Sequence, residues 1–179
     1  MLRMAEVVVD TNVLLVADGK HGDATDECRL ACIERLQSIT QTGTVVIDDG
    51  FRIVREYQNK IDPNKGKGVG AVFLKWLLQN QANPRYVSYV ALTEGETDRY
   101  GEFPVAALED EFDPPDRKFP AVANAHPAKP AILQAVDCKW LRWWEDLGCA
   151  GIRVEFLCPG DICRFFRAKF PDVPMPDLP

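Results

Sequence analysis

Apolar residues come in two rhythms along this chain. The runs Val7-Val8-Val9, Thr44-Val45-Val46-Ile47 and Ala131-Ile132-Leu133-Gln134-Ala135-Val136 are short, hold β-branched residues and do not alternate with polar ones. That pattern predicts strands covered on both faces, as in a parallel sheet. Between them, apolar positions recur at helical spacing. Cys28, Leu30, Cys32, Ile33, Leu36 and Ile39 predict a helix over 26–40, ended by Gly43. Phe51, Ile53, Val54 and Tyr57 predict a second, and residues 71–79 a third. A helix over 139–147 would turn Trp140, Leu141 and Trp144 inward and stop at Gly148. Thr11 or Asn12 is suited to cap a helix carrying Val13, Leu14 and Leu15. A last strand is expected over 153–157 and a small helix over 162–166, while 86–90 reads equally as a strand or a helix start.

Strand and helix alternate, so the expected fold class is α/β, with three α/β/α layers around a central, mostly parallel sheet. One domain is expected over 1–170, followed by a proline-rich tail, 171–179, that is extended and weakly ordered. Pro114-Pro115 should deliver a helix carrying Asp116, Phe119, Val122 and Ala123, which Pro120 would kink.

Composition narrows the function classes. The chain has 179 residues, 46% hydrophobic and 27% charged, with a net charge of -6. Any nucleic-acid partner must therefore meet a local basic patch rather than a global field. No apolar run reaches bilayer length and no signal-peptide pattern opens the chain, which predicts a cytoplasmic protein without a membrane partner. The six cysteines include no CxxC pair, and His21 and His126 stand far apart. Zinc spacing is absent, and in a cytosolic chain all six thiols are expected to be reduced.

The candidate chemistry lies where apolar runs meet acids. Asp10, Asp48 with Asp49, and Asp137 each follow such a run, so parallel strands would line them along one sheet edge. Glu56 and Asp116, entering helices at that edge, can join them. Clustered carboxylates raise each other's pKa unless a cation is present, and an all-oxygen set suits Mg²⁺ or Mn²⁺. Such ions activate water for displacement at phosphorus. Each acid also has a plainer role. Asp10, Asp113 and Asp116 are candidate helix caps, Asp48 or Asp49 is better read as a cap than as a ligand, and Glu56 is spaced to pair with Arg52 or Lys60.

Taken in order, VVVDTN, Glu56 within IVREY, DRKFPAVA from Asp116 and ILQAVDCKW resemble the PIN-domain nucleases across nearly the full chain. The stretch from YGEFP through FDPPDRKF to AVDCKW is similar to a bacterial PIN subgroup with a DRKF-type motif. The resemblance implies a PIN-like fold, with Asp10, Glu56, Asp116 and Asp137 as catalytic, metal-binding acids and Asn12 fixing the first of them. It implies Mg²⁺ or Mn²⁺ as cofactor and RNA as substrate. The family's last motif is often T/S-x-D-x-D, and here the flanking positions are Ala135 and Lys139.

Lys60, Lys65 and Lys67, in a loop with Gly66, Gly68 and Gly70, can meet phosphates, as can Lys118 and Lys139; a solvated loop is the plainer reading of the first three. Trp143 is the tryptophan expected to face outward, where a base could stack on it. The leading expectation is a metal-dependent endoribonuclease. The alternatives are a catalytically weak PIN-fold module binding RNA or protein, favoured by Ala135 and Lys139, and a phosphatase of the haloacid-dehalogenase type. The last wants D-x-D, and Asn12 stands at its second acid. An antitoxin-like partner, as small relatives have, and a homodimer are further expectations.

Overall fold

The strand β1 (Ala5–Val9) lies at the centre of the sheet in a computed structural model that describes residues 5–179. Residues 1–4 of the expected domain lie outside the described residues. The partners of β1 are β2 (Gly43–Asp48) on one side and β4 (Ala131–Gln134) on the other, with β3 (Val87–Val90) and β5 (Val154–Phe156) at the edges. All four pairings are parallel, with Val7 opposite both Val45 and Ala131. Every residue of β2 and β4 is buried, which explains their unbroken apolar runs. The ambiguous stretch 86–90 is the edge strand β3. The third apolar run stops pairing at Gln134, so Asp137 lies in the bend beyond β4 rather than at its last residue.

Helices cover both faces, giving three α/β/α layers. On one side α1 (Thr11–Ala17), α2 (Asp26–Thr42) and α4 (Val69–Gln79) pack on one another. On the other, α6 (Lys118–Ala125) crosses β1, β2 and β4, and α3 (Arg52–Lys60) touches both α1 and α6. Pro120 is the third residue of α6, in the first turn, where N–H groups lack intrahelical partners, so the expected kink does not arise. Leu30, expected inward on α2, is 54% exposed.

Two further expectations are corrected in the last third of the chain. The single helix expected over 139–147 is a 3-10 turn, Cys138–Arg142, followed by α7 (Trp144–Cys149). The break lets both Trp140 and Trp143 enter the core, where Phe112 stacks on Trp143 at 3.9 Å and meets Trp140 edge-on at 5.3 Å. Trp143 is therefore no platform for bases. The tail beyond α8 (Pro159–Lys169) does not run free: the indole of Trp144 donates to the Asp177 carbonyl at 3.0 Å, and Met175 packs beside Leu141 and Phe166. The remaining helix, α5 (Ala106–Glu109), is a single turn.

The cysteines also depart from expectation. Cys28 on α2 and Cys158, just before α8, form a disulfide across 130 residues of chain, whereas Cys32, Cys138, Cys149 and Cys163 are free. Sequence spacing is blind to this pairing because it reflects two helix starts brought together by the fold. No helix among the described residues is long and apolar enough to cross a membrane.

Candidate active site

Chain order along the sheet creates the site. From β1 the chain moves to β2 on one side, and later returns to place β4 on the other, so the direction of winding reverses between β1 and β4. Helices leave the carboxyl ends of these two strands in opposite directions, opening a crevice where ligands of such folds bind. Asp10 follows β1 and Asp137 follows β4.

Asp10 is held from three directions. Its Oδ1 accepts from the Asn12 backbone N–H at 2.9 Å and from Asn12 Nδ2 at 2.6 Å, and its Oδ2 accepts from Gln134 Nε2 at 3.1 Å. Asp10, rather than Thr11 or Asn12, is thus the N-cap of α1. Asn12 Oδ1 in turn accepts from the Ala135 N–H at 2.9 Å, tying the ends of β1 and β4 together. Gln134 is fully buried and also accepts from Asn12 Nδ2. The one local sign of this role is an amide inside an apolar run, which marks a buried polar partner.

Glu56 projects from α3 and is not paired with Arg52 or Lys60. It accepts from Thr11 Oγ1 at 2.5 Å and from the ammonium of Lys118, which is only 5% exposed. Arg52 instead spans Asp48 and Glu94. Asp48 caps α3, accepting from the N–H groups of Arg52 at 2.8 Å and Ile53 at 3.0 Å, as its plainer reading required.

Asp116 sits in the 3-10 turn Pro114–Asp116, and its carboxylate accepts no hydrogen bond among the described residues. Burial, reinforced by Asp137 and opposed by Lys118, pushes its carboxyl up to about 7. Asp137 accepts from the Lys139 N–H at 3.1 Å. Burial raises its carboxyl too, while Lys169 holds it partly down. Asp10 is raised well above the carboxylate range, first by burial and then by Asp116.

Asp10, Glu56, Asp116 and Asp137 line one cavity of about 360 Å³, with Asn12 in its wall. His21, Lys60 and Lys169 line it too; of these only Lys60 was singled out from sequence. Lys169 lies on the last helix, 32 residues beyond Asp137, and no local signal marks it. Of the other candidate cations, Lys118 reaches the site through Glu56 and the remaining three stand elsewhere. Lys65 pairs with Asp62 at 3.9 Å, Lys139 with Asp113, and Lys67 lies outside the cavity wall. A larger cavity, about 470 Å³, lies beside β5 among Trp144, Phe156 and Leu178, and the charged side chains of its lining are Arg153 and Glu155.

No three of the carboxylates bring oxygens within 4.8 Å of one another; among the described residues only three cysteines form so tight a group. The cavity therefore does not form a dry cage. An ion held here would have to be a hydrated one, taking one or two carboxylates and keeping several waters. Asp116, Asp137 and Asp10 are the acids fit to hold it, because Glu56 already has Lys118. No family model, curated protein sequence or solved structure matches the chain.

Proposed function

We propose that this chain is a nuclease of PIN type, hydrolysing phosphodiester bonds in RNA with Mg²⁺ or Mn²⁺. The observation that carries the reading is the meeting of four acids, from four separate segments, in one cavity at the reversal point of the sheet. A bound ion there would supply Lewis acidity and a water of lowered pKa. Asp10, Asp116 and Asp137 would hold it. In the metal-free protein burial and Asp137 push the Asp116 carboxyl up to about 7, so an ion held there would displace its proton. Asn12 and Gln134 keep Asp10 fixed, so its oxygens need not reorganise when substrate arrives. Lys60 and Lys169, on the cavity wall, are suited to phosphate oxygens, and Lys118 holds Glu56 in position.

A second reading draws on that same Lys118. Its buried ammonium neutralises one of the four acids without any ion, as a metal-free binding module would require. Cleavage decides between the two. The enzyme reading predicts Mn²⁺-dependent cutting of single-stranded RNA that EDTA stops and that Asp10→Asn and Asp137→Asn each abolish. RNA bound but never cut, by a protein that takes up no Mn²⁺, would favour the module.

A further inference from the structure

Away from the acid cavity, Cys28, Cys32 and Cys158 bring their sulfurs within 4.8 Å of one another. All three are buried. Cys28 and Cys32 lie one turn apart on α2, and Cys158 is the residue before α8. The disulfide uses Cys28 and Cys158, yet Cys32 Sγ stands 3.8 Å from Cys158 Sγ. A cross-link needs two sulfurs, so the third is surplus to it. A separation of 3.8 Å is also the sulfur–sulfur edge of a tetrahedral site whose metal–sulfur bonds are about 2.3 Å.

A second contact besides the disulfide joins the same two helices. Asp161 on α8 accepts from the backbone N–H of Thr25 at 2.7 Å and from its hydroxyl at 3.1 Å, and Thr25 caps α2. Both helices therefore start at the cluster, and their N-terminal ends favour negative sulfur at Cys28 and Cys158. Burial and Asp161, by contrast, push the Cys32 thiol up to about 12, so a bound cation must drive its deprotonation. Arg164, 3.6 Å from Asp161, adds positive charge beside it. A cavity of about 110 Å³ opens against Cys28, Cys158 and Asp161, with room for a fourth ligand such as water.

We propose that Cys28, Cys32 and Cys158, once reduced, form a binding site for a thiophilic cation of the Zn²⁺ class. A dithiol reductant passes two electrons and two protons to the Cys28–Cys158 disulfide and becomes a disulfide itself. The three thiols then release three protons as their thiolates take the cation. This site is separate from the carboxylate cavity in ligand chemistry and in position, and stands whether or not the chain is a nuclease.

The test uses full-length protein reduced with a dithiol, desalted under nitrogen and titrated with Co²⁺ and then Zn²⁺. One equivalent of Co²⁺ should produce a thiolate-to-cobalt charge-transfer band, which carboxylate ligands do not give, and Zn²⁺ should displace it. Cys32→Ser should weaken Zn²⁺ binding at least tenfold, and Cys149→Ser should leave it unchanged. Oxidised wild-type protein, which needs no substitution, should show no band. A reduced protein without the band, a band that survives oxidation, or wild-type affinity in Cys32→Ser would overturn the proposal.

Discussion

Asp116 differs from the other acids of the cavity in having nothing to lose but its charge. Asp10 is fixed by Asn12 and Gln134, Glu56 by Thr11 and Lys118, and Asp137 by the Lys139 N–H, whereas the Asp116 carboxylate accepts no hydrogen bond among the described residues. Its carboxyl is raised from 3.8 to about 7, so the folded, metal-free protein holds this proton more tightly than the unfolded chain. Stability from this group is then fully present below about pH 4 and is lost as pH rises towards 7. Asp116→Asn removes the penalty. In EDTA at pH 8 the variant should melt about 3 °C or more above wild type, and the difference should vanish near pH 4. Differential scanning calorimetry across that range measures it, and a variant that melts lower at pH 8 would contradict the electrostatic account. At this scale the sequence was legible where a polar residue interrupts or ends an apolar run, as at Asp10, Asp137 and, overlooked, Gln134. The sequence marks Lys118 only as a candidate phosphate ligand, because its pairing with Glu56 spans 62 residues.

The elements bearing these residues are set by close backbone contact. Gly70, the second residue of α4, lies against α1 so tightly that a Cβ would stand 2.2 Å from the carbonyl oxygen of Leu14. Beside it, Asp18 accepts from the Ala71 N–H at 2.9 Å and so joins the end of α1 to the start of α4. Since α1 begins at the cavity with Thr11 and Asn12, this contact fixes the angle at which they arrive. Gly70→Ala should cost about 2 kcal/mol, because the helices must part rather than a side chain rotate. Urea unfolding would show the loss as a lower midpoint with an unchanged slope, and wild-type stability would mean that α1 and α4 are not so closely apposed. In the sequence, Gly66, Gly68 and Gly70 read as a loop beside three lysines. Their packing role was hidden because a close approach leaves no periodic pattern. The same limit explains α7: the apolar spacing of Trp140 and Trp144 was visible, but not the stacking of Phe112 on Trp143 that goes with the break in the helix.

Across the whole molecule, the α/β alternation was legible because parallel strands buried on both faces leave continuous apolar runs. Strand order was not, since β3-β2-β1-β4-β5 depends on which side each connection crosses, and residues near one another in sequence do not record it. That order makes Asp10 and Asp137 neighbours and lets Glu56 and Asp116 join them, although the chain carries a net charge of -6 and repels further negative charge. The disulfide, which ties α2 to α8, was equally invisible locally. The account stands or falls on whether Asp10, Asp116 and Asp137 hold a cation together. Titration of Mn²⁺ into metal-free protein at pH 7.5, read by isothermal calorimetry alongside Asp116→Asn and Asp137→Asn, tests this most directly. The account predicts saturable binding by wild type, weakened by each substitution alone, with proton release larger in wild type than in Asp116→Asn. Absence of binding by wild type, or equal binding by all three proteins, would contradict it.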